Sequence, residues 1–179
     1  MKLVKYEGYN LTIEPEMLLL KPFKKIWNRD RSKNKDRALQ ELGYIYFMED
    51  PRSDYQIYID EKVRSKEIIQ GEGILNWKPD SVIEEARKFY ASFKSTSALL
   101  LEDTRVMIEG YRKKIKEITL NMEDMEVKDI KDIGVIIKQI PILIKDLDAA
   151  EKAISSEIMK EDKIKGSQEK AMFEDLINV

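Results

Sequence analysis

Ile130–Ile158 reads IKDIGVIIKQIPILIKDLDAAEKAISSEI. Its apolar residues Ile130, Ile133, Ile137, Ile140, Ile144, Leu147, Ile154 and Ile158 recur in steps of three and four, with Glu151 the one polar lapse. A strand repeats every second residue, whereas a mean step of ~3.5 marks a helix packed along a coiled-coil-like seam. Thirty residues at a rise of about 1.5 Å make a rod of about 45 Å. Pro141 lies inside it, and an interior proline costs about 3 kcal/mol and commonly bends the axis. Upstream, Leu100, Thr104, Met107, Tyr111, Ile115, Ile118 and Met122 predict a partner helix over about 97–122. Residues 97–159 are therefore expected to form a long helical hairpin.

Working back toward the N-terminus, Lys78-Pro79-Asp80-Ser81 opens another helix, and Ser81 with Glu84 has capping-box spacing. Val82, Ile83, Ala86, Phe89, Tyr90 and Phe93 give it one apolar stripe. A short helix near Asp60–Gln70 ends at Gly71-Glu72-Gly73, which lacks the remaining residues of a phosphate loop and reads as a turn. Ala38, Leu39, Leu42, Ile45 and Tyr46 predict a helix over about 35–50, stopped by Asp50-Pro51-Arg52-Ser53. Glu14-Pro15-Glu16 starts a helix that Pro22 limits or splits, and residues 1–13 alternate weakly as an extended arm or edge strand. The fold class is mainly α. One helical domain over 1–159 carries an extended N-terminal arm and a C-terminal docking tail over 160–179.

Composition narrows the chemistry. Gly (7) and Pro (5) are scarce among 179 residues, which favours long helices over a turn-rich β fold. No run reaches the ~18 apolar residues of a membrane span, and the N-terminal MKLVKYEGYNLTIEPE has no apolar stretch suited to a signal peptide. Zero Cys excludes disulfides and fits a reducing cytoplasm. Zero His removes imidazole metal sites and Ser-His-Asp or Cys-His machinery, leaving only carboxylate, Lys or Tyr chemistry. No catalytic, metal or cofactor-binding residue is assigned, and the chain is not expected to be an enzyme.

Charge is sorted along the chain. Lys21–Arg37 holds eight Lys or Arg against two Asp, an excess of +6 in a chain of net charge −2, so the remainder carries −8. Within it, Lys24, Lys25, Arg29, Arg31, Lys33, Lys35 and Arg37 are candidates for electrostatic contact with nucleic-acid phosphates or an acidic protein face. Phe23 and Trp27 could stack on bases, or face a core beneath a solvated basic helix. The following Gly43-Tyr44-Ile45-Tyr46-Phe47-Met48 is too apolar for a solvated face, and joined to the basic run it suggests an assembly or polyanion surface more readily than a catalytic pocket. Glu123, Asp124, Glu126, Asp129 and Asp132 lack the calcium-loop pattern and read as partners of a helix start. Met172, Phe173, Leu176 and Ile177 form an apolar patch suited to docking on a neighbour or folding back. The isoleucine seam serves either internal packing or, in part, a subunit interface.

The run RALQELGYIYFMEDPRSDY (Arg37–Tyr55), preceded by FKKIWNRDRSKNKD, resembles small virion proteins of tailed bacteriophages, notably the crAss-like phages of Bacteroides. The resemblance covers about 40 residues. It implies a structural virion protein of the head-to-tail connector, a neck or ring protein below the portal, assembled in the host bacterial cytoplasm. The partners it implies are further copies of itself in a ring, the portal and neighbouring neck proteins, with non-specific contact to packaged DNA and none with a membrane. A ring needs a heterologous interface, for which the basic Lys21–Arg37 face could meet an acidic face such as Glu123–Asp132. Another capsid-associated or packaged phage protein, or a small helical DNA-binding protein, are the alternatives.

Overall fold

Helix α2 (Asp36–Glu49) is the axis of the first of two units, Met1–Lys94; Ser95–Val179 forms the second. The computed structural model describes residues 3–7, 10–74, 76–120 and 127–174, with side chains except at 5–7, 10, 129, 158 and 161–174. The architecture is mainly α, with six α-helices among the described residues and a long C-terminal helical hairpin.

Every residue from Glu41 to Asp50 except Tyr46 is buried. GYIYFM is thus the core of the first unit, not the assembly surface that its composition suggests. Helices on several sides of α2 account for this: α1 (Lys21–Arg29), α3 (Glu61–Gly71) and α4 (Ser81–Ala91) all pack against it. A helix with neighbours on several sides can be apolar nearly all round. Phe23, Ile26, Leu42, Ile45, Ile68 and Ile83 are fully buried there, each stabilising by about 1.5–3 kcal/mol.

The N-terminal segment is extended, as expected, and doubled back on itself. Strands β1 (Val4–Glu7) and β2 (Asn10–Ile13) pair antiparallel with Val4 opposite Ile13 and Tyr6 opposite Leu11. Leu3 and Val4 are buried and Leu11 packs on the same core. Gly43 makes room for it, because a Cβ there would lie 2.8 Å from Leu11 Cδ2.

Local chemistry sets the boundaries. A 3-10 turn (Pro15–Leu19) precedes α1, and Pro22 falls in the first turn of α1, where its missing N–H costs nothing. Lys35, before α2, adopts the left-handed conformation (φ 58°). The Asp30 carboxylate, from outside the helix, accepts the Ala38 N–H at 3.0 Å. Asp60 caps α3 by accepting from Lys62 and Val63. The cap of α4 is Asp80, accepting from Val82 and Ile83 at 3.0 Å, and not the expected Ser81. Asp80 has the extended backbone that a cap requires. Glu84, the expected second half of the box, binds Arg87 instead.

The second unit is a hairpin of α5 (Thr96–Leu120) and α6 (Val127–Glu174), the latter helical through Pro141. Its seam is one residue off the expected one at alternate positions. Ile136, Leu143, Ala150 and Ile154 are buried with Ile133, Ile140 and Leu147 half-buried, while Ile130, Ile137 and Ile144 face out. Steps of three and four fit either choice; the observed one puts Ala150 inside and leaves Glu151 free to bind Arg105 at 3.2 Å. On α5, Thr104, Tyr111, Ile115 and Ile118 take inward positions, but Leu101 and Ile108 replace the expected Leu100 and Met107, which are about half exposed. Met122 lies outside the described residues.

Candidate functional site

The basic run divides into residues that hold the fold and residues that face solvent. Arg29, from the end of α1, donates to Glu41 of α2 (Nε at 2.8 Å) and to Asp80 ahead of α4 (Nη1 at 2.7 Å), tying three elements together. Burial lowers the Arg29 pKa, but its bonds to Glu41 and Asp80 outweigh this and leave it raised. Arg37 bonds the same Glu41 at 2.9 Å one helical turn away. Lys35 donates to the carbonyls of Asp30 and Trp27 and lies 5.8 Å above the Trp27 ring. These three cations are engaged in structure.

Lys24, Arg31 and Lys33 are exposed, and no ion pair engages them among the described residues. Lys25 lies 3.6 Å from Glu85 with both side chains at least 60% exposed, a contact worth little. Phe23 is fully buried, edge-on to Phe89 and Tyr90, and Trp27 packs against the core. Neither is a platform for bases. What remains is a cationic surface on the outer side of α1 and its following loop, able to attract a polyanion or acidic protein by charge alone.

A second chain of charges lies inside the unit. Arg87 donates twice to Glu49 Oε1, at 2.9 and 2.7 Å, and Lys94 reaches Glu49 Oε2 at 3.0 Å. Asp50 accepts from Arg52 (2.7 and 2.5 Å) and from the Tyr90 hydroxyl (2.5 Å). Burial, followed by the charge of Asp50, pushes the Tyr90 pKa well above its ordinary value. Burial lowers the Arg52 pKa, but the bonds to Asp50 more than reverse it. Each charged group meets an opposite one, so this network locks α2 to α4. Asp30 is held at about 2, chiefly by the N–H groups of Ala38 and Ser32.

Sequence reading missed two surface features. One is an open groove of about 520 Å³ beside α3, where Lys62, Lys66 and Lys78 surround Ile69 and Trp77. The other is the outer surface of the hairpin, where Val106, Val135, Ile137 and Ile142 are each more than half exposed. The residues were visible in the sequence, but which of two adjacent stripes faces inward was not.

Of the docking-tail residues, Met172 and Phe173 fall on α6 without described side chains, and Leu176 and Ile177 lie outside the described residues. Glu123, Asp124 and Glu126 also lie outside them; among the described residues no three acidic side chains could hold a metal ion together. No helix among them is long and apolar enough to cross a membrane. The chain matches no protein-family model, no curated protein and no solved structure.

Proposed function

We propose that this chain is a structural virion protein of the phage head-to-tail connector, present in many copies and forming a ring through subunit–subunit and portal contacts. The observation that carries this reading is the set of apolar residues that the hairpin leaves open, Val106 on α5 and Val135, Ile137 and Ile142 on α6, each 55–59% exposed. Exposed apolar side chains grouped along one helix, as on α6, suit a chain that packs against others. The Arg37–Tyr55 resemblance to small virion proteins of tailed bacteriophages, which implies the connector role, falls on the central helix α2 and the turn after it. It is therefore a likeness of core and not of contact surface, and supports a shared fold. The exposed cations Lys24, Arg31 and Lys33 suit an acidic face of the portal or of a neighbouring subunit. The ring assembles in the host bacterial cytoplasm and ends in the virion.

A small helical DNA-binding protein is the second reading, favoured by the same unpaired cations. Salt titration against duplex DNA separates the two, since phosphate-driven affinity falls steeply and log-linearly with salt. The deciding experiment co-expresses the chain with the portal protein and weighs the product by native mass spectrometry, with particle imaging of any ring. A multi-copy complex with the portal is expected. A persistent single chain that ignores the portal overturns the connector reading.

A further inference from the structure

Ile133–Ile144 reads IGVIIKQIPILI and contains no acidic residue. In α6 its apolar residues extend well beyond the seam: Ile136 and Leu143 are buried against α5, Val135, Ile137, Ile142 and Ile144 stand 49–59% exposed, and Lys138 and Gln139 are exposed among them. An apolar arc wider than one partner helix covers asks for a second neighbour, and a run this short does not span a bilayer. One partner helix leaves most of its circumference uncovered.

Charge identifies the occupant. Lys131, Lys138 and Lys145, seven residues apart and all exposed, form a row on the outward side of α6, and no ion pair engages them among the described residues. Lys138 and Lys145 each follow a buried residue by two positions, about 200° round the helix from the seam. Two outward α6 faces meeting each other would set lysine row against lysine row, which opposes association. The outward face of α5 is the complement. Leu99 and Val106, about half exposed and likewise two positions from the buried Leu101 and Thr104, stand among Glu102, Asp103 and Glu109, of which Glu109 also bonds Arg112 at 3.0 Å and Asp103 is the exposed one. Lys131–Lys145 carries three Lys less one Asp, +2; Leu99–Arg112 carries three acids less two Arg, −1.

We propose that a second copy of this chain covers the α6 surface, the outward α6 face of one subunit packing on the outward α5 face of the next. Each helix of the hairpin turns its outward face away from the other, so the two faces lie on opposite sides of the unit. Contact between them is heterologous and leaves one face free at each end, the arrangement that closes into a ring or extends as a filament. This deepens the ring reading and rests on it only in requiring that copies meet.

The chain has no cysteine, so introduced thiols are the only ones present. Val106→Cys and Ile142→Cys, both at exposed positions, are made in separate full-length chains and treated with a short thiol-to-thiol cross-linker. Mixing them is expected to give covalent dimers of one kind with the other, neither variant alone to give dimers, and a chain carrying both to give a ladder. Lys138→Glu should weaken self-association about tenfold, and Asp103→Lys in the same chain should restore it. Like-with-like cross-links from either single variant overturn the proposal. So does a full-length chain that weighs as one copy and gives no mixed dimer, whatever else then covers the helix. Mixed dimers that ignore the portal keep this interface and remove the connector reading; portal binding without mixed dimers does the reverse.

Discussion

Replacing Arg87 by Met tests whether the buried charges of the first unit hold α4 to α2. Arg87 is 12% exposed and Glu49 10%, and their two hydrogen bonds are 2.7 and 2.9 Å long. Removing one partner of a buried pair costs about 3–5 kcal/mol, because the remaining charge is desolvated without compensation. Here Lys94 stays at 3.0 Å from the other Glu49 oxygen, and a retained charge-assisted bond reduces the expected loss to about 2–3 kcal/mol. Both tryptophans, Trp27 and Trp77, belong to the first unit, so their fluorescence follows that unit without the hairpin. With a urea slope of about 1 kcal/mol per molar, the midpoint should fall by about 2–3 M. Met in place of both Arg87 and Glu49 should regain part of the loss, since the pair is then matched and apolar while Lys94, 11% exposed, loses its bond to Glu49. A single-variant loss below about 0.5 kcal/mol, in the range of exposed pairs, refutes the assignment; so does a double variant as unstable as the two single losses added together.

Three further outcomes follow from the same contacts. Tyr90→Phe removes the hydroxyl's bond to Asp50, together with its contact to the Leu3 backbone, and keeps the ring edge against Phe23; it should cost about 1.5–3 kcal/mol in the same fluorescence assay, the range for a bond to a charged acceptor. Asp30 has its pKa lowered from 3.8 to about 2 by folding, so the stability it contributes is present above pH 3.8 and is lost as pH falls toward 2. Asp30→Asn should flatten the pH dependence of the urea midpoint in that window, and an unchanged slope would remove Asp30 from the account. Reversing Lys24, Arg31 and Lys33 together to Glu should shift the urea midpoint little, as expected for exposed charges, while weakening capture of the portal protein or duplex DNA in a pull-down; undiminished capture of both would show that this surface is not the contact.

The sequence by itself determined that the chain is helical, where most helices begin and end, and that a long hairpin closes it. Those features are local: the periodicity of Ile130–Ile158, Pro22 dividing the segment that begins at Pro15, Asp60 ahead of α3, and Pro51 after α2 all act within a few residues of themselves. The basic run was equally legible as composition. Its division into structural and free cations was not, because Arg29 finds Glu41 at 12 residues' separation and Asp80 at 51. Only tertiary structure decided that GYIYFM is core, since an apolar helix is buried by its neighbours and nothing within it says how many there are. Only tertiary structure chose Ile136, Leu143 and Ala150 over the adjacent Ile137, Ile144 and Glu151 for the seam. A seven-residue repeat allows steps of three-then-four or four-then-three, and the partner helix selects between them by which side chains it can enclose.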